Sequence, residues 1–148
     1  KVDLWKTNYY FSVETPTVKK YSFSGTSEIS AQTDMTIYDG THQINIEFKA
    51  HNPGLKSYKK DIKKLLREDV YKVAWCHIFK KEGDSAWKKL LADFKEAFKL
   101  VIEEHQDDIV EKTIYFSFID LDKKKFCWKE LKNINKYEDF FDNLIGEW

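Results

Sequence analysis

Residues 43–51 alternate without exception. Ile44, Ile46, Phe48 and Ala50 fall on one side, and Gln43, Asn45, Glu47, Lys49 and His51 on the other. This is the pattern of a half-buried strand, and it predicts an apolar side turned to the core and a polar side turned to solvent. A β-like stretch over 31–38 precedes it, separated by Asp39-Gly40, a strong hairpin signal. Two earlier stretches, 8–13 and 18–24, are rich in Tyr, Phe and Val and also read as β. Asn52-Pro53-Gly54 stops the alternating strand. Tyr58, Ile62, Leu65 and Leu66 then recur at helical spacing, with lysines opposite, which predicts an amphipathic helix over 56–68. The run 70–79 lacks clean alternation and reads as a strand buried on both faces. Asp84-Ser85 opens a long helix whose apolar stripe is Trp87, Leu90, Leu91, Phe94, Phe98, Val101 and Ile102. A strand over 113–121, a polar turn over 122–125, its partner over 126–131 and a short helix over 136–145 complete the chain. Strands separated by helices predict a mixed α/β domain, a mixed sheet with helices packed on it.

The chain has 148 residues, one domain's worth, enough to bury about 68–70% of the surface the unfolded chain exposes. Its 11 Phe, 8 Tyr and 5 Trp supply much of that core. It contains no 18-residue apolar run and no signal-peptide pattern, which argues against a membrane protein. It begins with Lys1 and reads as a fragment that lacks an N-terminal segment. Lysine plus arginine equal aspartate plus glutamate at 25 each, so the net charge is zero. The charges are unevenly placed, however. Lys56, Lys59, Lys60, Lys63, Lys64 and Arg67 surround a lone Asp61, while Glu103, Glu104, Asp107, Asp108 and Glu111 form an acidic stretch. Zero net charge therefore hides one basic face. Cys76 and Cys127 sit in apolar strand-like runs without a paired spacing, which predicts buried thiols in a reducing, cytoplasmic setting. His42, His77 and His105 show no ligand spacing and read as structural or surface residues.

Candidate chemistry emerges from hairpin arithmetic. With Asp39 and Gly40 as a two-residue loop, Tyr38 faces Thr41 and Asp34 faces Asn45. Asp34 is then diagonal to Glu47 on the same face, roughly 7–8 Å away at the backbone, close enough for two carboxylates to share one ion. Lys49 emerges two residues further along that face, and Gln32 and His51 share it. Hard oxygen ligands suit Mg²⁺ or Mn²⁺, which keep several waters and accept phosphate oxygens. A neighbouring ammonium can orient the attacking water or stabilise developing charge. Such a site suits metal-dependent phosphodiester hydrolysis.

Asp34-Met-Thr-Ile-Tyr-Asp-Gly, followed by Ile44-Asn-Ile-Glu47-Phe-Lys49, resembles the core motif of the PD-(D/E)XK nuclease superfamily, whose fold is restriction-endonuclease-like. The resemblance covers about residues 28–79, including the segment Asp61-Ile-Lys-Lys-Leu-Leu. It implies a central mixed sheet flanked by helices, Asp34 and Glu47 as metal ligands with the main-chain carbonyl of Phe48 as a third, and Lys49 as the catalytic lysine. Thr33 stands where the motif has Pro, and no clear helix precedes residue 18 to carry the family's further acidic residue; Glu14 and Glu28 are stand-ins for it. Gln32, His51 and Glu28 are candidate assisting groups. Lys56, Lys60, Lys63, Lys64 and Arg67 are candidates for contact with nucleic acid phosphates. The expectation is a Mg²⁺- or Mn²⁺-dependent nuclease, acting on DNA before RNA. The alternatives are a nuclease-like module that binds nucleic acid or a partner protein without cutting, and a structural accessory domain.

Overall fold

The structure, a computed structural model, describes residues 8–22, 27–51, 53–80 and 84–146. Six strands form one sheet in sequential order: β1 (Tyr10–Tyr21), β2 (Ile29–Tyr38), β3 (Gln43–Ala50), β4 (Lys72–Phe79), β5 (Thr113–Asp120) and β6 (Lys125–Leu131). β2 runs antiparallel to both β1 and β3; β3, β4 and β5 run parallel, and β6 returns antiparallel. The two parallel crossovers carry α1 (Leu55–Arg67) and α2 (Asp84–Glu104), and α3 (Tyr137–Gly146) closes the fold. The expected stretches 8–13 and 18–24 are one continuous strand, interrupted only by an irregularity between Pro16 and Lys20. Residues 23 and 24 of that expectation, and Asn52 of the expected stop, lie outside the described residues.

The β2–β3 loop has four residues, 39–42, in place of the expected two. The Asp39 carboxylate accepts hydrogen bonds from the amides of Thr41 (2.9 Å) and His42 (2.7 Å), which folds the extra residues into a side-chain-stapled turn. Gly40 takes φ +91°, a conformation suited to glycine. The pairing accordingly shifts by two: Tyr38 faces Gln43 and Met35 faces Ile46. A shift of two preserves which face each side chain occupies.

That face is the opposite of the one expected to be buried. Asn45 and Glu47 are buried, Lys49 is half-buried, and Phe48 is exposed. The polar row of β3 points at α1. The helices cover one face only: Val73, Trp75, His77 and Phe79 of β4 and Ile114, Phe116 and Phe118 of β5 pack under Trp87, Leu91, Phe94, Phe98 and Phe141. On the other face Ala74 and Cys76 are half-buried, while Phe48, Ile78, Phe126 and Trp128 are exposed. The expected burial of 70–79 on both faces is thus corrected; apolar residues on β4's outer side obscured its alternation. The thiols of Cys76 and Cys127 are free and half-buried, on opposite faces.

α1 explains why polar residues turn inward. Tyr58, Ile62, Leu65 and Leu66 form its apolar stripe, and beside them Asp61, Lys64 and Glu68 form a second, charged row that is equally buried. Glu68, just past the helix end, accepts hydrogen bonds from the amides of Val18 (2.9 Å) and Lys19 (3.1 Å) and from the Tyr21 hydroxyl (2.6 Å), which fixes the irregular stretch of β1. The buried Lys112 ammonium donates to the carbonyls of Leu65 (2.8 Å) and Glu68 (2.6 Å), satisfying acceptors left over at the helix C-terminus.

His77 sits in the aromatic core, with Tyr58, Phe79 and Phe118 around it. Its Nε2 donates to the His51 carbonyl (2.7 Å), which leaves the buried Nδ1 unprotonated and unpartnered. Burial holds its pKa down at about 4, against 6.5 for an ordinary histidine. The unfolded chain takes up this proton near 6.5 and the folded chain only near 4, so stability is full above that window and falls as pH drops through it. The loss is about 3 kcal/mol across the window. His77→Phe should flatten the acid limb of a urea-denaturation stability profile by roughly that amount; an unchanged limb would show that His77 is charged in the core.

Candidate active site

The ladder between β2 and β3 ends at Met35–Ile46. Continuing that register by one step places Asp34 across from Glu47 on the same face, in place of the diagonal arrangement expected. Asp34 replaces the next ladder bond: its Oδ2 accepts from the Phe48 amide at 2.7 Å. A side chain in the place of a main-chain carbonyl lets the strands part, and a cavity of about 490 Å³ opens there. Glu14, Gln32, Asp34, Lys49, Lys60, Asp61 and Lys64 are among the residues that line it. Glu47 lies beneath, 1% exposed.

Helix α1 supplies what β3 lacks. The Lys64 ammonium donates to Glu47 Oε2 (2.7 Å) and to the Gln32 carbonyl (2.8 Å), and it pairs with Asp61 Oδ1 (3.1 Å). Asp61 Oδ2 in turn forms an ion pair with Lys49. Two carboxylates and two ammoniums thus alternate, Glu47–Lys64–Asp61–Lys49, with Asp34 alongside. Burial pushes the Glu47 carboxyl up to about 8, against the pull of Lys64. Burial also opposes a charge on Lys64, but Glu47 and Asp61 outweigh it and raise the ammonium's pKa. Three oxygen acceptors for the three ammonium protons keep Lys64 charged. Glu47 Oε1 has no partner although it is buried.

Of the residues read from sequence, Asp34, Glu47 and Lys49 are brought together. Gln32 joins them through its main-chain carbonyl, while its side chain is exposed. His51 is exposed, has φ +60° and does not line the cavity. Glu28 is exposed at the start of β2 and does not line it either, whereas Glu14, with φ +50°, does. Lys64 is corrected most: in place of an exposed phosphate-contacting residue it is a buried ion-pair partner, 4% exposed. Arg67 is also committed elsewhere, its Nε 2.6 Å from Asp108 Oδ2 and its guanidinium over the Tyr21 ring. Lys56 and Lys60 are exposed and Lys63 is half-buried; with Lys59, which pairs with Glu104, they line a groove of about 760 Å³. Lys60 belongs to both walls, so groove and cavity adjoin. Asp61 was missed as a site residue. Its signal was present: it lies three residues after Tyr58 and four before Leu65, inside the buried arc of the helix.

Among the described residues, no three His, Cys, Asp or Glu side chains converge as a ready metal cage. Two carboxylates suffice for Mg²⁺, which is commonly held by one or two of them and its own waters. No family model, curated protein or solved structure matches the chain. No helix among the described residues is long and apolar enough to cross a membrane.

The ion row predicts a stability contrast. Asp61→Ala strips two ammoniums of a shared acceptor, and it should cost about 3 kcal/mol in urea denaturation. Lys60→Ala, on the exposed arc of the same helix, should stay within about 0.5 kcal/mol. Equal small effects would mean that the row contributes no more than a solvated surface.

Proposed function

We propose that this chain is a metal-dependent phosphodiesterase acting on nucleic acid, DNA before RNA, built on a restriction-endonuclease-like fold. The observation that carries this reading is a cavity where the β2–β3 ladder stops, lined by Asp34, Lys49 and Lys64, with the buried Glu47 paired to that Lys64 and a lysine-lined groove alongside. The sequential strand order, with the aspartate on β2 and the Glu-x-Lys on β3, supports the fold assignment.

Asp34 and Glu47 would hold Mg²⁺ or Mn²⁺, with the Phe48 carbonyl as the third ligand that the sequence resemblance implies. The unpartnered, buried Glu47 Oε1 fits a hard cation. Such an ion, when bound, lowers the pKa of a coordinated water and offsets phosphate charge. The protein's own part is positioning. The Phe48 amide fixes the Asp34 carboxylate, and Lys64 fixes Glu47. Asp61 steadies the Lys49 ammonium at the cavity wall, where it can donate to a phosphate oxygen or an attacking water. Lys56, Lys60 and Lys63 are placed to neutralise flanking phosphates.

One observation favours a second reading, a module that binds nucleic acid without cutting it. Glu47 and Lys49 already have partners on α1, so the cluster needs no ion to be satisfied. Cleavage of plasmid and oligonucleotide DNA with Mg²⁺ or Mn²⁺ separates the two. Asp34→Ala should abolish cleavage. Glu47→Ala should lose activity together with metal affinity. Lys49→Ala should still bind metal and lose on the order of 10²–10⁴ in single-turnover rate. A wild-type chain that binds DNA and leaves it intact with either metal would move the conclusion to the second reading.

The groove gives a separate expectation. Replacing Lys56, Lys60 and Lys63 together with Ala should lower the slope of log affinity against log salt by about 2–3, while cleavage of saturating substrate stays close to wild type. An unchanged slope would make these lysines a solvated face.

A further inference from the structure

Lys64 is bound as a metal ion would be. Its ammonium is almost wholly buried and sits among three hard oxygens from three elements: a carboxylate oxygen of Glu47 on β3 (2.7 Å), one of Asp61 on α1 (3.1 Å) and the main-chain carbonyl of Gln32 on β2 (2.8 Å). Two carboxylates and a carbonyl are the donor set that a divalent cation takes from a protein. One oxygen of the cluster remains open: Glu47 Oε1, on the same carboxylate, is buried and without a partner. Glu47 therefore has one oxygen on a resident cation and one available to another.

We propose that Lys64 occupies a second cation position, so that the site accepts one divalent ion and excludes another. This rests on the metal-site reading above and goes beyond it by fixing the number of ions. While the ammonium holds these three oxygens, a second divalent ion has no donors left to take. Asp61, through its two oxygens, holds Lys64 in this position and Lys49 beside it.

The test is the stoichiometry of Mn²⁺, titrated alone by calorimetry and counted independently by electron paramagnetic resonance of the free ion. Wild type should bind one Mn²⁺ per chain. Lys64→Ala vacates the three oxygens and should bind two. Lys64→Asn, which frees similar space but keeps one donor for Glu47 and so tolerates the change better, should also bind two. Adding Asp61→Ala to either variant should return the count to one. Circular dichroism identifies which variants are folded. Two ions on the wild type, or one ion on a folded Lys64 variant, overturns the proposal and leaves the metal-site reading standing. No ion on the wild type overturns both.

Discussion

A carboxyl group on the buried side of a sheet requires a polar partner of its own, and around Glu47 that requirement organises one end of the molecule. Lys64 can reach Glu47 only if α1 turns a charged row inward, so Asp61 and Glu68, on the same row, are buried with it. Asp61 then fixes Lys49, and Glu68 ties down the irregular part of β1. The result is a divided interior. β1–β3 meet α1 through ions and hydrogen bonds, whereas β4 and β5 meet α2 and α3 through stacked and edge-on aromatics such as Trp75–Phe94 and Phe98–Phe116. The apolar stripe of α1 belongs to the second region and its charged row to the first. Those two rows fix the rotation of the helix, because turning it by one residue would bury a solvated lysine and expose half the ion pairs.

Much of this was legible in the sequence, and the errors have one physical source. Period-2 alternation identifies a strand and sorts its residues into two faces, but it leaves open which face is covered. Ile44, Ile46 and Phe48 argued for the apolar one. The partner helix decided otherwise, since only a charged row can cover Glu47. The same bias concealed Lys64, which lies in a run of lysines and was assigned to solvent with the rest. Asp61 offered the correction. A lone acid at the spacing of the apolar stripe, with a lysine three residues on, marks an inward-facing ion pair. The loop error had a milder effect. Asp39-Gly40 suggested a two-residue turn, and the Asp39 side chain built a four-residue one, but the shift of two left Asp34 and Glu47 on one face.

Parting strands and buried ions have a common root at Asp34. Were β2 and β3 paired one step further, the Phe48 amide would already be used; the Gln32 carbonyl belongs to the β1 side, where it pairs with Pro16, which has no amide hydrogen to give. Asp34 takes the Phe48 amide and the ladder stops, while the Gln32 carbonyl accepts from Lys64. A local substitution of side chain for main chain thereby accompanies the cavity and puts a carboxylate at its wall.

Stability and chemistry are coupled unequally among these residues, and this governs how any loss of activity is to be interpreted. Glu47 is deep, and its removal leaves Lys64 as a buried charge short of an acceptor, an expected cost of several kcal/mol. Under the proposed reading, inactivity of a Glu47 variant would therefore mix lost metal binding with lost fold. Asp34 is half-buried and makes one hydrogen bond at the end of a ladder, worth about 1–2 kcal/mol. Lys49 shares its acceptor with Lys64, so Asp61 stays paired when Lys49 is gone. Asp34 and Lys49 are thus the positions where the proposed function can be tested while the Glu47–Lys64–Asp61 pairing that shapes this end of the fold stays intact.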